Sequence, residues 1–141
     1  MANLPEFIAN HPLLVSLFLA LTLMLLWNIY GRAVSGIRQL TPSEVTRMMN
    51  HDDALVLDVR TSGEYNKAHI LNSLNVPETE LNGAREKLEK YKSQPVIACC
   101  DHGNISEKAA RNLKTEGFEQ VYSMKGGIIA WRNANLPLAR N

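Results

Sequence analysis

Pro95-Val96-Ile97-Ala98-Cys99-Cys100-Asp101-His102-Gly103-Asn104-Ile105-Ser106 is the stretch on which the reading of this sequence turns. Its first five residues are apolar without alternation, the pattern of a short strand covered on both faces. From Ser106 to Glu116 the pattern changes to a helical one, with Ala109, Ala110 and Leu113 on one side. Lys114 in the last turn and Gly117 just past it close that helix. A strand that hands over to a helix across a short turn is the building unit of a parallel α/β sheet. In such sheets ligands gather at the carboxyl ends of the strands. The turn Cys100–Ile105 is therefore where chemistry is expected.

The flanking sequence repeats the alternation. Thr41-Pro42-Ser43-Glu44 combines a Thr cap, Pro at the first helical position and a Glu that reaches back, so a helix is predicted from there to about Asn50. Ala54–Val59 and Leu74–Val76 read as strands, Glu80–Lys92 as a helix, and Gln120–Ser123 as a fourth strand. A Gly126-Gly127 turn then leads into a short helix that ends near Trp131. Strands and helices at this spacing predict an α/β fold, a parallel sheet flanked by helices on both faces.

Ahead of this domain, Leu13–Tyr30 (LLVSLFLALTLMLLWNIY) is apolar, and no Asp, Glu, Lys or Arg occurs between Phe7 and Gly31. As a helix this run is roughly 27 Å long, close to the hydrocarbon thickness of a bilayer. A buried core helix would show a polar face, and none is present. A cleaved signal peptide would have basic residues in front, where only Glu6 is charged, and Ala33-Val34-Ser35 is a poor cleavage site. One N-terminal transmembrane helix, residues 13–30, is the expectation. The division is an anchor and linker over 1–36 and a domain over 37–141. Arg32 and Arg38 follow the span and nothing basic precedes it, which predicts a cytoplasmic C-terminal domain in a single-pass protein.

Beyond Arg38 acidic and basic residues balance, so the domain offers no electrostatic footprint for nucleic acid. The two cysteines are adjacent in sequence, a spacing that rarely meets disulfide geometry, which argues for a reducing compartment. Cys99 ends the apolar strand and reads as a small buried hydrophobe. Cys100 stands at the strand-to-helix turn, where unpaired helix N–H groups and the positive dipole end favour a thiolate. Gly103 allows the backbone to curl, so that the amides of Asp101, His102, Gly103, Asn104, Ile105 and Ser106 form a cradle for an anionic sulfur. Cys99, Cys100 and His102 lack a distant fourth ligand and do not make a metal site. A cysteine phosphatase is excluded as well. It needs an arginine six residues past its nucleophile, and Ser106 (or Ile105, counted from Cys99) stands there instead.

Leu55–Arg60 (LVLDVR), with Glu64-Tyr65 and His69-Ile70 behind it, resembles the opening signature of rhodanese-homology domains. Gly126-Gly127-Ile128-Ile129-Ala130-Trp131 resembles their closing GG-x-x-A-W, and Cys100-x-x-Gly103 takes the place of their catalytic loop. The match runs over roughly residues 39 to 138, and the whole chain is similar to membrane-tethered bacterial members of that family. The resemblance implies a rhodanese-like fold on the inner membrane. It implies a sulfurtransferase that carries a persulfide on Cys100, without a cofactor, between a small sulfur donor and a thiol or protein acceptor. Asp58, Arg60, Glu64 and His69 then hold structural positions. Members that use thiosulfate often carry basic residues where this chain has Asp101 and Ile105, so thiosulfate turnover is expected to be poor. Asp101 beside the sulfur opposes the thiolate. His102 either compensates as a cation or proton donor or simply faces solvent. The alternative expectation is a weak or inactive module that recruits a protein partner at the membrane.

Overall fold

The computed structural model describes residues 3–33 and 36–141, and the chain divides into two compact units, Met1–Gly36 and Ile37–Asn141. The first unit holds α1 (Leu4–Asn10) and α2 (Pro12–Ala33). Leucines, Phe18 and Trp27 are exposed along α2, which has no polar face. Its 22 residues make it about 33 Å long, and Pro12–Tyr30 is long and apolar enough to cross a membrane. The link expected at Gly31–Gly36 is shorter than read, because the helix continues through Ala33. One interior glycine costs about 1 kcal/mol, too little to end a helix of this length. Val34 and Ser35 lie outside the described residues, and with them most of the candidate cleavage site.

The second unit is a five-stranded sheet: β1 (Arg38–Leu40), β2 (Leu55–Asp58), β3 (Leu74–Asn75), β4 (Val96–Cys99) and β5 (Val121–Met124). The strand order is β1-β5-β4-β2-β3 and every pairing is parallel. β4 is therefore central, which explains its unbroken apolar sequence. Its side chains alternate between two cores. Val96, Ala98 and Cys100 face α6 (Asn104–Thr115), meeting Ala109, Ala110 and Leu113, while Ile97 and Cys99 face Val45 of α3 (Pro42–His51) and Ile128 and Trp131 of α7 (Gly127–Asn133). The α/β fold with helices on both faces is as expected.

Local chemistry explains the element ends. Thr41 and Glu44 form the full capping box at α3. Thr61 and Glu64 form a second one, which starts α4 (Ser62–Lys67), a helix the sequence reading left out. β1 was left out too: it is a three-residue edge strand, recruited by β5 with Leu40 opposite Met124. The single helix expected over Glu80–Lys92 is instead a 3-10 helix, Glu78–Ala84, followed by α5 (Arg85–Glu89). Asn82 and Gly83 are poor helix formers in mid-segment, and burial of Leu81 and Leu88 is met without continuous α geometry. α6 begins at Asn104, two residues before the expected Ser106, with Gly103 as its N-terminal neighbour at φ +100°.

Candidate functional site

β4 ends at Cys99, and Cys100 begins the turn into α6. Two elements fix that turn. Gly103 holds a left-handed φ, and a Cβ there would press on Met124 O and Gly126 N at 3.3 Å. From the other side α7 clamps it: Ile128 N–H donates to Cys100 O at 2.8 Å and Ile129 N–H to Asp101 O at 3.3 Å. Gly127 lies so close that a Cβ would collide with both carbonyl oxygens, which gives the closing double-glycine motif its physical role.

Held this way, the Cys100 sulfur accepts hydrogen bonds from Gly103 N–H at 3.0 Å and Ser106 N–H at 3.4 Å. Ser106 is in the first turn of α6, where N–H groups have no intrahelical acceptor, so its amide is available to the sulfur. Of the six amides expected in the cradle, these two reach Cys100 Sγ. The side chain of Ser106 contributes as well, a feature missed at the level of sequence. Its hydroxyl lies 3.4 Å from the sulfur, donates to Gly103 O at 3.0 Å, and is 3.0 Å from the hydroxyl of Ser123 on β5. Both serines are fully buried, and two hydroxyls inside a core were a signal the sequence offered.

Cys100 is only 3% exposed, yet it lines a cavity of about 300 Å³ with Arg60, Glu64, Glu78, Asp101, His102 and Ile105. His102, Asn104 and Ile105 are exposed at the rim of that cavity. Cys99 sits on the opposite face of the sheet, and burial, reinforced by Asp58, pushes its thiol well above the usual range. It is a packed hydrophobe, as its sequence position suggested.

Asp58, Arg60, Glu64 and His69 form the support. The Arg60 guanidinium pairs with Asp58, Nη2 to Oδ2 at 2.6 Å, and donates to Ala68 O at 2.7 Å. Burial opposes its charge, but the Asp58 ion pair outweighs that and the pKa of Arg60 is raised. Glu64 accepts from Thr61, which holds its carboxyl below the usual range. His69 is buried, stacked on Tyr65 at 4.0 Å and bonded through Nδ1 to Tyr65 O. Sequence reasoning did not foresee that Arg60 also crosses to the turn, with Nη1 3.3 Å from Asp101 Oδ1. Among the described residues no group of three or more His, Cys, Asp or Glu is arranged to hold a metal ion.

Residues 41–134 match the family model described as a rhodanese-like domain. This chain belongs to the rhodanese-like domain family. It is 33% identical to the Escherichia coli protein YibN, with 99% of each chain covered. It is 34% identical to thiosulfate sulfurtransferase GlpE of Coxiella burnetii over 67% of this chain and 87% of that one. Among solved structures, a rhodanese-related protein from Thermoplasma volcanium superposes with a TM-score of 0.67 at 28% identity, covering 74% of this chain and 99% of the other. The rhodanese-like domain here thus has the sulfurtransferase-type fold, and the apolar helix ahead of it extends into the similarity with YibN.

Proposed function

We propose that this protein is a membrane-anchored sulfurtransferase whose rhodanese-like domain carries sulfur as a persulfide on Cys100. The observation that carries the reading is the pair of N–H bonds from Gly103 and Ser106 to a cysteine sulfur that opens on a cavity. Donors of this kind match a sulfur that bears negative charge through a reaction. The Cys100 thiolate attacks the outer sulfur of a donor. A new S–S bond forms, the donor's S–S bond breaks, and its electron pair leaves on the departing group. An acceptor thiolate or protein then removes the outer sulfur by the same displacement, which regenerates the Cys100 thiolate. No cofactor takes part. The similarity to a thiosulfate sulfurtransferase supports this reading.

Intact-mass spectrometry after exposure to sulfane-sulfur donors tests it. One added sulfur atom is expected in the parent protein and in Cys99→Ser, and none in Cys100→Ser. An unchanged mass with every donor sinks the enzyme reading.

The same proposal has α2 spanning the bacterial inner membrane, with Arg32 and Arg38 on the cytoplasmic side and the domain facing the cytoplasm. Alkaline extraction should leave the protein in the membrane pellet, and protease outside spheroplasts should spare the domain. Digestion of the domain reverses the orientation.

A second reading is a recruitment module, with a protein partner at the membrane and no turnover. Ile105, 52% exposed at the rim of the cavity, and the carboxylate of Asp101 favour it. The mass measurement separates the two.

A further inference from the structure

The charge around the Cys100 cavity is settled by one contact. Among the described residues that line it, Arg60 is the one permanently charged cation. A guanidinium has five N–H donors, and an anionic donor molecule would be held by those that point into the cavity. Here Nε and Nη2 are engaged by Asp58 and Ala68 O. Nη1, on the side of the turn, carries two N–H groups and gives one of them to Asp101. Asp101 is itself 41% exposed at the rim, so its charge is felt by anything that enters. Glu64 and Glu78 line the same cavity, and Glu78 is paired outward with Lys108 at 2.8 Å. Ile105, at the end of the turn, adds an apolar side chain to the lining. His102 also lines the cavity.

From this we infer that Asp101 is a specificity-determining residue. Its carboxylate pairs with Arg60 and, with Glu64 and Glu78 on the same lining, offsets the one permanent cation there, so Cys100 takes its sulfur from an organic persulfide with a neutral or positively charged carrier rather than from thiosulfate. The inference rests on the sulfurtransferase reading above and names its substrate class. The step is balanced. The Cys100 thiolate attacks the outer sulfur of R–S–SH, a new S–S bond to Cys100 forms, the S–S bond of R–S–SH breaks, and R–S⁻ leaves with the electron pair while the proton stays on the transferred sulfur. No external oxidant or reductant is needed. Repulsion at a partly water-excluded cavity acts on the rate of encounter, where fields of this size change rates by about tenfold or more.

The test uses the full-length protein in detergent and four donors. These are thiosulfate and the persulfides of cysteamine, 2-mercaptoethanol and 3-mercaptopropionate, whose heads are alike and whose tails are positive, neutral and negative. The rate of sulfur gain on Cys100 is read by intact mass. The expected order is cysteamine, then mercaptoethanol, then mercaptopropionate and thiosulfate, with roughly tenfold between the first and the last two. The spread should narrow as salt is raised from about 0.05 to about 0.5 M. In Asp101→Asn the negative charge beside Arg60 is removed, the cation preference should collapse, and thiosulfate loading should rise several-fold. Equal rates for the three persulfides, or thiosulfate loading fastest in the parent protein, overturns the inference. So does an Asp101→Asn variant with an unchanged order. Absence of any adduct from all four donors instead removes the transferase reading on which it rests.

Discussion

Cys99 and Cys100 are neighbours in the chain and opposites in chemistry. One step along a strand moves a side chain to the other face of the sheet. Cys99 therefore falls among Leu40, Val45 and Ile97, while Cys100 falls at the start of α6 with two amides directed at its sulfur. Both residues are almost fully covered, 1% and 3% exposed, so burial alone does not separate them. The separation comes from what each sulfur touches: packed side chains and the Cys100 carbonyl on one face, peptide N–H groups and a cavity on the other. Reactivity in a folded chain is thus set by register as much as by residue type.

The most direct way to break this contrast is alkylation. At pH 7 to 8, folded protein should take one iodoacetamide, on Cys100, with Cys99 slower by at least about a hundredfold because burial raises its thiol pKa. In concentrated urea both should react. Peptide mapping that finds Cys99 labelled first in the folded state would undo the comparison. Gly127→Ala tests the clamp that holds the Cys100 side alone. Its added methyl meets Cys100 O and Asp101 O at a φ of +60°, so a loss of about 2 to 4 kcal/mol in urea unfolding is expected, together with most of the sulfur loading.

Ser123→Ala sharpens the same side more gently. It removes the hydroxyl that partners Ser106 behind the sulfur, with an expected cost of about 1 kcal/mol and slower loading, while Cys99 labelling stays unchanged. The smallest effect lies at the far wall of the cavity, where Thr61 makes no bond to either sulfur. Thr61→Ala removes the α4 cap at about 1 kcal/mol near neutral pH and leaves the labelling ratio alone. Thr61 holds the Glu64 carboxyl below its usual range, so the capping bond is at full strength above the ordinary carboxylate pKa. It is lost as pH falls through the depressed value. The stability gap between parent and Thr61→Ala should therefore shrink in acid, and a gap that widens contradicts the assignment.

Much of this was legible in residue order. The apolar runs gave β2 and β4, the Thr41–Glu44 box gave the start of α3, and the strand-to-helix turn singled out Cys100. Two elements escaped for reasons of length. β1 has three residues with polar Arg38 and Gln39, so only its pairing with β5 makes it a strand. α4 has six residues, although the Thr61-to-Glu64 spacing repeats the signature that identified α3. The long helix read over Glu80–Lys92 was wrong because hydrophobic spacing does not register a change from α to 3-10 winding. The bond between Arg60 and Asp101 spans 41 residues and depends on strand order, which local pattern does not carry.

The sulfur of Cys100 is held by main-chain atoms, and its turn is pinned from behind by the peptide groups of α7. Such a holder is indifferent to most of the side chains it is strung with. His102, Asn104 and Ile105 are exposed at the rim of the cavity and Asp101 reaches across to Arg60, and none of the four side chains bonds to the sulfur, so these positions can be rewritten without dismantling the nucleophile's seat. The turn therefore works like a socket with an exchangeable face: its wiring is peptide, its lettering is side chain, and a protein engineer can retune what docks there one letter at a time.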